Sequence, residues 1–177
     1  MDEFHIELLD IHWLKDTPEK IDLCAHGQVK VIIGKETIVE QQEDDIDWTL
    51  NAMALHLLRT LESNHLPENL VGEHLIPCCG HHIDHIDGEQ TVSIQGCFTG
   101  HNWWVRHSSN TIELQTLSNN IVELPFNNYK DEVLKFVDSV KEFYNKSKKK
   151  QLPDDDYDRT GYLMFWNEWN NRRAKWK

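Results

Sequence analysis

The densest chemistry in this chain lies in CCGHHIDHIDG, Cys78 to Gly88, where two cysteines and three histidines fall within eight positions. Thiolate sulfur and imidazole nitrogen are zinc donors, and a zinc ion needs three or four of them in tetrahedral array. His81 and His85 stand four apart, a spacing that on a helix puts both rings on one side, and Cys78 or Cys79 would extend the set. Cys97 and His101 could approach from a neighbouring strand end, as could Cys24 and His26 from DLCAHG. Against a metal, the segment holds no C-x-x-C pair, and Gly80 and Asp87-Gly88 bound it as turns do. The competing reading is structural, because free cysteine is among the most buried residue types and loop histidines are commonly surface groups. The expectation is therefore no cofactor, with zinc on Cys78, Cys79, His81, His85, Cys97 and His101 as the alternative.

Other chemistries are less supported. The eight glycines include no G-x-G-x-x-G or phosphate loop, and neither G-x-S-x-G nor HExxH occurs. Cys24 beside His26 is not a dyad on sequence closeness alone, since catalytic partners meet through the fold. No catalytic residue is assigned.

Charge is unevenly distributed. Residues 141–177 carry 10 basic and 6 acidic side chains, a net of +4, whereas residues 1–140 carry 8 basic against 24 acidic, a net of -16. An acidic body repels nucleic acid and attracts a basic protein. From Glu36 to Asp47 six acids occur with no base: Glu36, Glu40, Glu43, Asp44, Asp45 and Asp47. Capping the next helix would use one or two, so the excess marks a candidate docking patch for a basic partner. The N-terminus opens with acids and nothing approaches the roughly 18 apolar residues of a membrane span, from which we expect a cytoplasmic protein without a membrane partner.

These groups need elements to position them. Phe4, Ile6 and Leu8 alternate in one phase and Leu9, Ile11 and Trp13 in the other, which predicts a strand with a bulge. Val29, Val31 and Ile33, then Gly34-Lys35, then Glu36 to Val39 predict a hairpin. A broadly apolar helix follows from Asp47 to about Glu62. Strands around Val92–Gly96, Trp103–His107, Ile112–Leu114 and Val122–Phe126 read as an antiparallel meander. In the second of these, Trp103 and Trp104 face opposite ways, so Trp104 is either covered by the last helix or a partner-binding hot spot. Asn128 can cap a helix bearing Val133, Phe136, Val137, Val140, Phe143 and Tyr144, and a final helix carries Tyr162, Phe165, Trp166 and Trp169 on one stripe. The predicted architecture is one α+β domain over 1–177: an antiparallel sheet of six or seven strands, an inserted helix and two C-terminal helices packed on the sheet, the last over 157–176.

The segments LIPCCGH, GCFTGHNWWVRH, FVDSVKEFYNKS and YLMFWNEWNNRR resemble those of small bacterial cytosolic proteins, in the style of the immunity proteins that neutralise polymorphic or contact-dependent toxins. The likeness covers the C-terminal half and brings no site residues with it. It implies a non-enzymatic inhibitor that occludes a basic partner, and the acidic body agrees. The alternative function is a Cys/His zinc-binding domain or metal-dependent enzyme.

Overall fold

The computed structural model describes residues 4–40, 47–80, 82–85 and 88–176. The chain opens with β1 (Phe4–His12), β2 (His26–Ile33) and β3 (Glu36–Val39), which pair antiparallel in the order β1-β2-β3. The predicted phase change in β1 is real: its register against β2 slips between Leu8 and Asp10. The Gly34 turn that joins β2 to β3 needs glycine, because φ there is +60°.

A short β4 (Trp48–Thr49) adds to β2 and runs directly into α1 (Leu50–Thr60). The helix therefore starts three residues later than its acidic prelude suggests, since the first turn needs no acid: the Leu50 N–H donates to the Ala25 carbonyl at 2.9 Å. Nearly every side chain of α1 is buried, as its apolar surface predicts.

Next come β5 (Ile76–Pro77), β6 (His82–His85), β7 (Val92–Gln95), β8 (Gly100–His101), β9 (Trp103–Ser108), β10 (Thr111–Thr116) and β11 (Ile121–Pro125). The α+β class holds, but the strands do not form one sheet. They divide into a four-stranded sheet of β1–β4, a β9-β10-β11 meander, and two ribbons, β5-β8 and β6-β7. Val92–Gln95 leaves the predicted meander and pairs antiparallel with His82–His85 instead, Ile83 opposite Ile94.

Helix α2 (Phe126–Lys146) lays Val133, Phe136, Val137 and Val140 across the core. Its start is not Asn128: Pro125 is the N-cap residue, and the Phe126 N–H is already taken by the Asn110 carbonyl at 2.9 Å, so no side-chain cap is required. At its far end the Tyr144 hydroxyl accepts from the Ala25 N–H and donates to the Leu23 carbonyl, both at 2.9 Å. Helix α3 (Asp156–Ala174) is capped by Asp155, which accepts from the N–H groups of Tyr157 and Asp158. Tyr162, Phe165 and Trp169 are buried and Trp166 is half-buried, so the aromatic stripe docks on the body as its pattern requires. One cluster of buried side chains takes in Phe4, which meets Trp103 and Tyr129 at centroid distances of 6.2 and 5.0 Å and so joins the two larger sheets over α2.

Candidate functional site

The cysteines that were four separate candidates in the sequence resolve into two environments. Cys24 is buried beside Asp22, and burial pushes its thiol up to about 12. Cys78, Cys79 and Cys97 instead meet at the surface, with their three sulfurs within 4.8 Å of one another. All four thiols are free.

Two strands and a helix place this cluster. Pro77 pairs with Gly100, and the next N–H, that of Cys78, donates to the Thr99 carbonyl at 3.2 Å, so the ladder carries Cys78 toward the loop that bears Cys97. Thr49 at the head of α1 donates its hydroxyl to the Cys78 carbonyl at 3.0 Å. Gly80 is required here, since a Cβ in its place would come within 2.7 Å of the Ala52 Cβ. The backbone polar groups of Cys78 are thus satisfied locally, and the thiols face one another, Cys97 also donating to the Thr99 carbonyl at 3.7 Å.

Cys97 is the most acidic thiol of the three. Hydrogen bonding to the Thr99 backbone, then to Cys79, lowers its thiol below the ordinary range. Burial, reinforced by Cys97 and Cys79, pushes Cys78 up to about 12, and the hydrogen bond to Cys97 raises Cys79. The three sulfurs together are a soft and partly exposed donor set.

The structure separates this cluster from His85 and His101, two of the histidines grouped with it in sequence. His85 lies on strand β6 with its ring 4.6 Å from that of Tyr157, and His101 on β8 meets Trp48 edge-on at 5.0 Å. His81 lies outside the described residues. Behind the cluster, His65 accepts from the Val71 N–H through Nδ1, which leaves Nε2–H to donate to Asn102 at 3.1 Å; Asn102 in turn bonds the Leu75 N–H and the Glu73 carbonyl. These bonds fix residues 71–75, the approach to β5. An open groove of about 530 Å³, bordered by Arg59, Val71, Glu73 and Gly96, runs past the loop that carries Cys97.

The acidic run is partly spent on structure. Glu36 accepts from the hydroxyls of Thr116 at 2.7 Å and Ser118 at 2.6 Å, tying β3 to the β10–β11 turn. Asp47 accepts from Gln28 and lies 3.1 Å from His12, whose other ring nitrogen is 2.6 Å from Asp10. Glu40 faces Lys30 at 3.7 Å. Glu43, Asp44 and Asp45 lie outside the described residues. Trp103 is fully buried, while Trp104 on the opposite side of β9 is half-buried with its ring 5.6 Å from His65.

Sequence reasoning missed a buried ionic centre. Glu168 of α3 takes the Arg59 guanidinium through two 2.8 Å bonds, accepts the Val92 N–H at 2.9 Å and receives Arg172 at 2.8 Å. Arg59 also donates to the carbonyls of Val71 and Val92. Burial pushes the Glu168 carboxyl up, but the bonds to Arg59, Val92 and Arg172 outweigh it and hold it below the usual range. The available signal was a lone charge on each of two apolar helix faces. Among the described residues no helix is long and apolar enough to cross a membrane. No family model, curated protein or solved structure matches the chain.

Proposed function

We propose that the chain is a non-enzymatic binding protein that docks a basic protein partner against its acidic N-terminal face, in the manner of an immunity-type inhibitor. The observation that carries this reading is where the charge remains once internal pairs are removed. The bases of α3 and its C-cap are absorbed: Arg159 by Asp156, Arg172 by Glu62 and Glu168, Arg173 by Asp138, and Lys175 by Glu62. Residues 1–47, by contrast, hold 13 acids against 4 bases, a net of -9, most of which remains after Glu40 pairs with Lys30 and Glu19 with Lys148, and these residues build β1–β3 and their flank. Exposed charge of one sign acts chiefly on encounter rate and on the choice of partner. Glu7, Asp16 and Glu40 are exposed, and Glu43, Asp44 and Asp45 extend the same run in sequence.

The test is capture from the native host at low and high salt, followed by association kinetics with the captured partner. Replacing Glu43, Asp44 and Asp45 by lysine is expected to slow association about tenfold or more at low salt and to flatten its salt dependence, with thermal stability unchanged. A partner whose association rate responds to neither salt nor these substitutions removes the acidic face from the interface. Failure to capture any basic protein removes the immunity-type reading itself.

A further inference from the structure

We propose that Cys78, Cys79 and Cys97 form a binding site for one thiophilic d10 metal ion, held by three thiolates with a fourth coordination position open to solvent. The proposal is independent of the acidic face and rests on the geometry of the cluster alone.

Three thiols converge at one point from two segments, β5's exit and the loop between β7 and β8. A tetrahedral zinc–thiolate bond of 2.3 Å sets sulfur–sulfur distances of about 3.8 Å. The sulfurs here lie within 4.8 Å, so side-chain rotation of under about 1 Å brings them onto an ion. The donors are thiol sulfurs alone, the class that selects zinc(II) and copper(I) over the hard cations. Their backbone supports are already bonded, Cys78 through Thr99 and Thr49, so the loop need not refold to bind.

Closure by a fourth protein ligand distinguishes a structural zinc site from one that exchanges its ion. Among the described residues no imidazole or carboxylate joins the three sulfurs. His101 is turned to Trp48 and His85 to Tyr157. All three cysteines are partly exposed, which gives the open position access to water or to a small ligand. Phe98, 98 % exposed beside Cys97, marks the loop tip as an accessible part of the surface. Binding replaces the three thiol protons by one metal ion, with the protons leaving to solvent and no change of oxidation state.

The test uses the reduced full-length chain under anaerobic conditions, titrated with zinc(II) or copper(I) against a chromophoric chelator, with native thiols counted by a disulfide reagent. The expected result is one ion per chain and a fall from three reactive thiols to none, reversed by chelator, with buried Cys24 unreactive throughout. Cys97→Ser and Cys79→Ser are each expected to weaken binding at least 100-fold, while Cys24→Ser, His101→Asn and His81→Asn keep affinity within about threefold. Circular dichroism of each variant separates loss of the site from loss of fold. Zinc(II) binding without copper(I) binding, or the reverse, identifies which d10 ion the site takes and supports it either way. A tenfold loss on His81→Asn overturns the open position by closing the set with imidazole. Protection of fewer than three thiols, or protection that chelator does not reverse but a reductant does, overturns the site and reports a disulfide instead.

Discussion

Two polar clusters in this molecule are assembled from distant segments, and they are finished differently. At the Arg59–Glu168 centre every strong group has a partner: the carboxylate takes Arg59, Arg172 and the Val92 N–H, and the guanidinium takes Glu168 and two carbonyls. At Cys78, Cys79 and Cys97 the sulfurs meet one another, with a single long bond from Cys97 to the Thr99 carbonyl besides. The first cluster is closed, buried and bound to the packing of α3 on α1. The second is open and partly exposed. A closed network spends its binding capacity on the fold, whereas an open one keeps it for a ligand.

The largest test of that contrast is truncation before residue 156, which removes α3. It exposes the seats of Phe165 and Trp169 and leaves Arg59 without its carboxylate, so the truncated chain is expected to lose cooperative unfolding altogether. A preserved thermal transition at the same midpoint would mean that the closed centre holds nothing together.

Glu168→Ala isolates the ionic part of that effect. It strands a mostly buried guanidinium, and the expected cost is about 3–5 kcal/mol in denaturant unfolding. Because the folded carboxyl sits below its ordinary pKa, its contribution is present above the unfolded value and lost as pH falls through the folded one. Acid unfolding of the variant should therefore be less steep than that of the parent. A loss under about 1 kcal/mol would place the pair among ordinary surface bridges.

The elements were legible where a local period speaks for itself. The bulge in β1, the Gly34 hairpin, α2 and the aromatic stripe of α3 follow from alternation or three-four spacing. The division into four sheets was not, because Val92 and Ile94 alternate identically whether their partner is His82–His85 or Trp103–Ser108. The candidate site was legible by residue type and not by membership. CCGHHIDHIDG contributes two sulfurs to the cluster while its strand turns His85 toward Tyr157, and the third sulfur comes from Cys97, one of several equal candidates until the β5-β8 ladder chose it. Glu168 and Arg59 each read as a helix charge, and only their meeting made them a centre.

His56 gives a smaller and graded effect. Its Nδ1–H donates to the His74 carbonyl at 2.8 Å, its Nε2 is buried against Gly72, and burial, with Arg59 nearby, lowers its pKa to about 3. The unfolded chain takes a proton near pH 6.5 and the folded chain does not until about 3, so the unfolded state binds more protons throughout that window. Stability should fall on acidification from pH 6.5 by about 1 kcal/mol per unit from this residue, with His65 adding in the same direction. Urea midpoints between pH 7 and 5 measure the slope, and His56→Gln should flatten it. An unchanged slope in a folded variant assigns the pH dependence to other groups.

The smallest expected change sharpens the comparison most. Cys79 and Cys97 are only half-buried, their sulfurs neither fill the core nor bond a group that needs them, and serine is close to cysteine in size. If the open cluster is kept for a ligand, the double variant Cys79→Ser, Cys97→Ser should unfold within about 0.5 kcal/mol of the parent in chelator, as surface substitutions do. Added metal should then raise the parent midpoint and leave the variant where it was, because an ion that binds only the folded chain stabilises by RT ln(1 + [L]/Kd), about 2.7 kcal/mol at a hundredfold excess over Kd. A variant that loses several kcal/mol before any metal is added would show that the thiols carry packing, and the distinction between a closed centre and an open one would fall with it.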